Sequence, residues 1–388
     1  MTQKVNWATI IPLIGGSAIG CSQAAGSKPL YHLSYNAFNA NEKHIQKYWP
    51  DVPRILLDEN QKIPDQPLDF INSVCPCAGL SQLSTSKNQD IKDSRNKWMF
   101  ESAETVLGSI RPKVFFGENA PALYSNSGKY VADTLVEIGK KNGYSFSLYK
   151  TSTHLHGIPQ KRIRTFYFFW RDGNAPKLSR FSRPSLPFHE YIVDIPGWAA
   201  NQDQFPLKNG LSSFRSYEFL LKKYNTTHQE FVKLHDNSSI HSLHTYIHEN
   251  GLLEECILWL KQNYPESKEI ERLSSILEKT NSGGRFMDGS PGFHYERTNA
   301  MVGRVLINLL HPTEERGLSV REILHMMGIP HDFPFTGNPN DINHIAQNVP
   351  TCTARDMAGE VIRYLNGELE DSGRSFLKQC NISGEVSF

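Results

Sequence analysis

Residues 5–14 (Val-Asn-Trp-Ala-Thr-Ile-Ile-Pro-Leu-Ile) form an apolar run that ends in Gly15-Gly16-Ser17-Ala18-Ile19-Gly20 and a small-residue stretch at 22–25. A strand that breaks into a glycine turn and then a helix is the opening unit of a doubly wound α/β fold. Bare glycines there let a nucleotide cofactor approach the backbone. The spacing of Gly15 and Gly20 mimics a phosphate loop, but Cys21 stands where that motif requires lysine, which argues against a nucleoside triphosphatase. The alternation then repeats. Strands are expected at 30–35, 54–57, 68–74, 113–116, 144–149 and 163–170, with helices at 41–48, 98–109 and 131–142. The expected fold is α/β, a doubly wound Rossmann-like and mostly parallel sheet with helices on both faces.

The character changes after Trp170. Residues 172–215 are rich in Pro, Gly, Ser and Asn, as in a linker or an irregular recognition surface. Helices are expected at 216–224, 242–263 and 267–279, a strand at 302–310, and further helices at 320–327 and 353–365. The tail from Gly367 is expected to be peripheral. These changes of character divide the chain into 1–172, 173–335 and 336–388. His241, His244 and His248 share one helical face, which reads as a solvated face rather than a metal site.

Composition narrows the class. Charged residues make up 21% and hydrophobic ones 39% of the 388 residues, an ordinary globular balance. No apolar run approaches the roughly 18–20 residues that span a bilayer, and the N-terminus has no secretory pattern. Six scattered cysteines suggest a reducing compartment, so a cytoplasmic enzyme is expected; a monomer is the separate expectation for its assembly. The formal net charge is only +1, yet eight Lys or Arg against a single acid, Asp172, lie between Lys150 and Arg183. Such a stripe suits a polyanion.

Chemistry-bearing residues sit where strands are expected to end. Asn72-Ser73-Val74-Cys75-Pro76-Cys77-Ala78-Gly79-Leu80-Ser81 follows an apolar run. A cysteine at a strand end is well placed to be a nucleophile, although most cysteines are small buried residues. Residues 82–97 are polar and aperiodic and read as a mobile loop. Glu118-Asn119 follows another strand, and Gly157-Ile158-Pro159-Gln160-Lys161-Arg162-Ile163-Arg164 precedes a third. A metal site at Cys75-x-Cys77 lacks two further ligands nearby.

In order and spacing these blocks resemble the motifs of the cytosine-C5 DNA methyltransferases, over roughly 5–170 and 304–366. Pro76-Cys77 looks like the nucleophile loop, and Glu118-Asn119-Ala120 is similar to the family's Glu-Asn-Val. The block from Gly157 is very close to Gly-Ile-Pro-Gln-x-Arg-x-Arg. Arg316 to Glu322, continuing to Pro330, and Gln347-Asn348-Val349-Pro350 resemble the two final motifs. The resemblance implies that Cys77 attacks C6 of a flipped cytosine and that Glu118 bonds the amine and N3. Arg164 would contact the O2 edge, and Arg162 would support the site or a phosphate. It also implies S-adenosyl-L-methionine as methyl donor, double-stranded DNA as substrate, and a bacterial or phage-encoded, nucleoid-associated enzyme. Ile11, Gly15, Gly16, Asn36, Asp58, Pro76 and Asn348 map onto the cofactor-binding positions.

The first motif departs from the family. Where Asp-Leu-Phe-x-Gly is usual, this chain has Thr9-Ile10-Ile11-Pro12-Leu13, and Asn36 replaces the acid that binds the ribose hydroxyls. An altered donor or weakened cofactor use is therefore one alternative. A tRNA cytosine methyltransferase is another, and a DNA-binding protein that no longer turns over is a third. Retention of Cys77, Glu118, Arg162 and Arg164 together argues against the third, because a pure binder needs none of them.

Overall fold

A computed structural model of the chain describes residues 5–76, 80, 96–193, 195, 214–236, 242–286, 289–301, 309–335 and 342–382. Its centre is a sheet of eight strands: β1 (Trp7–Ile10), β2 (His32–Ser34), β3 (Arg54–Leu56), β4 (Phe70–Ser73), β5 (Val114–Asn119), β6 (Tyr144–Ser152), β8 (Ile163–Arg171) and β10 (Phe376–Cys380). Gln160–Lys161 (β7) and Thr298–Asn299 (β9) form a separate short parallel pair, which no sequence periodicity signals. The spatial order is β10-β6-β8-β5-β4-β1-β2-β3. Every pair in the large sheet is parallel except the two made by β8, which runs against both β5 and β6.

Strand composition explains this centre. β1, β4 and β5 are buried along their whole length, as strands covered on both faces must be. Alternate residues of neighbouring strands meet in register, which builds an aromatic ladder. Trp7 stacks on Phe70 with centroids 5.3 Å apart, Phe70 meets Phe116 at 5.8 Å, and Phe116 stacks on Phe168 at 5.5 Å. On the alternate positions Phe115, Phe169 and Phe146 form a second row.

The chain moves outward from β1 in two directions, so right-handed crossovers send helices to opposite faces. Helices Gly16–Ala25 and Thr351–Leu365 pack together, and Lys97–Thr105 packs with Lys129–Lys141. Two further apolar cores complete the molecule. One joins Ile14, Ile19, Ile45 and Trp49 to the segment from Leu318 to Cys352. The other lies inside the helical insert, around Tyr217, Phe231, Ile247, Leu260 and Leu273.

Three expectations need correction. The tail is not peripheral: β10 pairs in parallel with β6, Phe376 opposite Phe146 through Cys380 opposite Lys150, and closes that edge of the sheet. The helix expected over 242–263 is two helices, Leu243–Glu249 and Leu253–Asn263, separated at Asn250-Gly251 where Gly251 takes a left-handed φ of 68°. His244 is not on a solvated face. It is fully buried, and its Nε2 lies 2.9 Å from Glu269 Oε1. His241 lies outside the described residues, as does the expected strand at 302–310 except for Leu309 and Leu310, which form isolated bridges. The loop expected at 82–97 also falls outside them, apart from Asn96 and Lys97.

Candidate active site

Open α/β sheets bind ligands beyond the carboxyl ends of their strands, where the strand order reverses. Here that point lies between β1 and β4. The rim above it receives the glycine turn after β1, the Cys75-Pro76 segment after β4, and Glu118-Asn119 at the end of β5. Because β8 is reversed, its first residues reach the same rim, and Asn119 pairs with Thr165 one residue beyond Arg164. Arg164 is thus delivered by a strand start, not a strand end.

Glu118 is 3% exposed, and the Nε of Arg164 stands 2.6 Å from its Oε1. This is a close ion pair without the alignment of a hydrogen bond, and Oε1 keeps no hydrogen-bond partner among the described residues. Burial raises the Glu118 pKa above the usual carboxylate range, although Arg164 and Arg162 pull it down. A carboxyl group poised to be neutral, beside a fixed guanidinium, can donate to a ring nitrogen and stabilise charge on a neighbouring oxygen.

Pro76 is half-buried at the exit of β4, and Cys77 lies outside the described residues. Cys75 is 2% exposed; its sulfur is 3.1 Å from Ser73 Oγ and donates to the Trp98 carbonyl at 3.6 Å. Burial pushes its thiol up, so Cys75 stays protonated and is no nucleophile.

Arg162 is buried away from any open surface. Its Nη1 donates to the Met301 carbonyl at 2.7 Å, and its Nη2 to those of Ala346 and Asn348 at 2.8 Å each. These contacts make it a clamp that ties the β8 entry to the C-terminal segment. Gln160 does similar work, donating to the Met326 carbonyl at 2.9 Å.

Asn348, held by that clamp, accepts from the Gly16 N–H at 2.8 Å. A Cβ on Gly16 would lie 2.1 Å from Asn348 Nδ2, so only glycine allows this approach. Asn348 Nδ2 and Ser17 Oγ are both buried and have no hydrogen-bond partner among the described residues. Orphaned donors beside a glycine turn suit the carboxylate end of an amino-acid-bearing cofactor. Ile11 and Leu13 both take a left-handed φ of 52° and are buried. The backbone thus keeps the conformation a glycine would serve, at a cost of about 1–2 kcal/mol per residue. Asn36 and Asp58 are exposed. The Asn36 N–H donates to Asp58 Oδ2 at 2.9 Å, and its Nδ2 to Glu59 Oε1 at 2.9 Å. Glu59 was missed by sequence reasoning, since it sits next to the expected Asp58 with no periodic signal.

The basic stripe is not a continuous free surface. Arg162 is buried, Arg164 pairs with Glu118, Lys177 with Glu370, and Arg183 with Asp356. The partners at 356 and 370 come from a distant part of the chain, so local charge counting overstates the patch.

A doubly wound sheet with a glycine turn at its switch point and a carboxylate–arginine pair on the same rim defines the class, a Rossmann-like α/β protein with its site at the switch point. Residues 14–363 match the family described as C-5 cytosine-specific DNA methylase, and the chain belongs to that family. It is similar to the Type II methyltransferase M.PspPI of Psychrobacter sp. (strain TA137), 23% identical over 363 residues that cover 92% of this chain and 79% of the relative. It is also similar to M.DdeI of Desulfomicrobium norvegicum, 22% identical over 394 residues, covering 91% and 92%. Among solved structures, a DNA modification methyltransferase encoded within an E. coli prophage aligns with a TM-score of 0.57 at 16% identity over 93% of this chain and 99% of that one. The Entamoeba histolytica methyltransferase EhMeth gives 0.55 at 13% identity, over 94% and 99%. At such identities the two structural likenesses speak for the fold alone.

Proposed function

We propose that this DNA (cytosine-5)-methyltransferase works through Cys77, Glu118 and Arg164 on a cytosine flipped out of duplex DNA. Cytosine C5 is a poor nucleophile. Attack of the Cys77 thiolate on C6 forms an S–C6 bond and sends the ring electrons toward N3 and O2, which makes C5 enamine-like. Glu118 bonds the exocyclic amine and N3, and Arg164 the O2 edge, so charge develops against preorganised partners. S-adenosylmethionine supplies the methyl group when bound. A base, for which water suffices, then takes the C5 proton; the freed electron pair re-forms the C5=C6 bond and expels Cys77 as thiolate, restoring the aromatic ring. Since C6 is inaccessible in a stacked duplex, the base must leave the helix.

The observation that carries this reading is the buried Glu118 with its raised pKa, fixed by Arg164 on the rim that Pro76 reaches after β4. Gly15, Gly16 and Asn348 would hold the amino-acid end of the donor, with Ser17 beside them. Ile11, Asn36, Asp58 and Pro76 would line the remainder, and the uncharged Asn36 is the residue that weakens ribose binding. Arg162 positions Asn348 and does not touch the base. In this reading 1–172 catalyse, 173–335 choose the DNA sequence, and 336–388 complete the cofactor pocket.

The test is a duplex containing 5-fluorocytosine, incubated with S-adenosylmethionine. A covalent protein–DNA adduct that survives denaturation is expected, and the Cys77→Ala variant should form none. Adduct formation by Cys77→Ala, or none by the wild type on duplexes of varied sequence, would overturn the assignment.

A further inference from the structure

A cavity of about 470 Å³ opens beside the start of helix Thr351–Leu365. Its wall combines Gly157 and Ile158, from the loop between β6 and β8, with Gln23, Arg183, Cys352 and Arg355. Among the described residues no carboxylate lines it. Asp356 lies behind the wall, its side chain 2% exposed. Arg183 donates through Nε and Nη2 to the two oxygens of Asp356, at 2.9 Å each. His156 Nδ1 also meets Asp356, 2.9 Å from Oδ2, and its Nε2 lies 2.8 Å from Thr151 Oγ1. Burial holds the His156 ring below its ordinary range against the pull of Asp356. A neutral ring adds no charge to the wall.

The count is then two guanidinium groups against one carboxylate. Arg183 is fixed by its paired contacts. Arg355 is not: its Nε stands 3.8 Å from Asp356 Oδ1, its side chain is 43% exposed, and its guanidinium makes no hydrogen bond among the described residues. An unused, planar donor fork at the mouth of a cavity with excess positive charge matches a phosphate group in geometry and in sign.

We propose that this cavity seats one backbone phosphate of the DNA strand flanking the target cytosine, gripped by Arg355 with Arg183 fixed beside it. The inference rests on the function proposed above. The wall belongs to the loop that leads into Arg164, so the roughly seven residue steps from Gly157 to Arg164 limit the separation to about 25 Å. At about 3.4 Å per nucleotide along the duplex axis, that distance reaches phosphates within several base pairs of the flipped base. Such a contact fixes register without reading sequence.

Arg355 is the position to test, because among the described residues its guanidinium makes no hydrogen bond and has only the long ion pair with Asp356, which Arg183 and His156 already hold. Duplex binding by the full chain is measured by fluorescence anisotropy across a salt series, with S-adenosylhomocysteine present. For Arg355→Gln the slope of log K against log salt should fall in magnitude by about 0.9, one phosphate's share. Affinity at moderate salt should drop roughly three- to tenfold, while bisulfite sequencing shows the same methylated sites. An unchanged slope and affinity overturn the proposal. So does a melting temperature raised by inorganic phosphate at constant ionic strength in wild type alone, with the DNA slope unchanged, which would assign the cavity to a free anion. Failure of the wild type to bind any duplex would instead sink the proposed function itself.

Discussion

At the scale of single residues, proton affinity carries most of the chemistry. Glu118 is close enough to Arg164 to be read as an ordinary ion pair, and an ion pair would lower a carboxylate pKa. Burial outweighs it, and the net shift is upward. A folded-state pKa above the unfolded one favours the neutral form. The stability Glu118 contributes is therefore full below the ordinary carboxylate range and lost as pH rises through the folded value. Glu118→Gln should thus melt no lower than wild type at pH 8, while methyl transfer falls by about 10²- to 10⁴-fold. Differential scanning calorimetry and a tritiated-methyl assay check both halves; a destabilised but active variant would make Glu118 a structural ion-pair partner instead. The pairing of Glu118 with Arg164 falls on two blocks of recognisable spacing in the sequence, while Cys77, in a third such block, lies outside the described residues. The direction of the Glu118 shift was not legible in the sequence, since it depends on what surrounds the carboxyl in three dimensions.

At the scale of elements, two contacts hold the cofactor rim in shape. Helices Gly16–Ala25 and Thr351–Leu365 touch at Gly20, where a Cβ would lie 2.4 Å from the Thr351 carbonyl oxygen and 2.8 Å from the Arg355 nitrogen. These are backbone atoms and cannot rotate away. Gly20→Ala should cost about 1–3 kcal/mol, read as a lower urea midpoint, and should weaken S-adenosylhomocysteine binding because Asn348 moves with the second helix. A variant with wild-type midpoint would mean the helices can separate freely. The other contact joins the helix Asn39–Tyr48 to β2 and β3. Glu42 is fully buried, accepts from Ser34 Oγ at 2.6 Å and pairs with Arg54 at 2.8 Å. Burial pushes its pKa up to about 7 from 4.5, against the pull of Ser34 and Arg54. Stability should therefore decline between about pH 4.5 and about pH 7, by about 3 kcal/mol at most. Glu42→Gln should flatten that part of the profile when denaturant midpoints at pH 5 and pH 8 are compared; an equally steep profile would place the titrating group elsewhere. Sequence periodicity located both helices but assigned neither contact, because apolar spacing reports burial and not the identity of the neighbour.

At the scale of the whole molecule, the C-terminal segment finishes what the N-terminal one begins. β10 covers the free edge of β6, and its neighbours pin the crossing segment after β8. Asn381 Oδ1 accepts from the Phe181 N–H at 3.0 Å, and Gln379 Oε1 from that of Leu178 at 3.1 Å. Removing the residues from Gly367 onward should uncover β6 as an edge strand and favour association between chains. Lower soluble yield and a shift to larger species on size exclusion are expected. A monodisperse truncated protein with unchanged melting would show the tail to be dispensable. Nothing in 367–388 marks a sheet edge in advance, since Phe376–Cys380 is five residues long with mixed burial.

What the sequence determined by itself was the alternation of strands and helices, the glycine turn that opens it, and the residue types on the rim. These are local matters of backbone conformation and of which side chains avoid water. Tertiary structure alone decided the rest. It reversed β8 so that Arg164 meets Glu118, buried Arg162 as a clamp on three distant carbonyls, and drew Lys177 and Arg183 of the basic stripe into separate pairs. Each of these outcomes joins groups far apart in the chain, and each depends on burial, which sets both the strength of a charge pair and the proton affinity of its members.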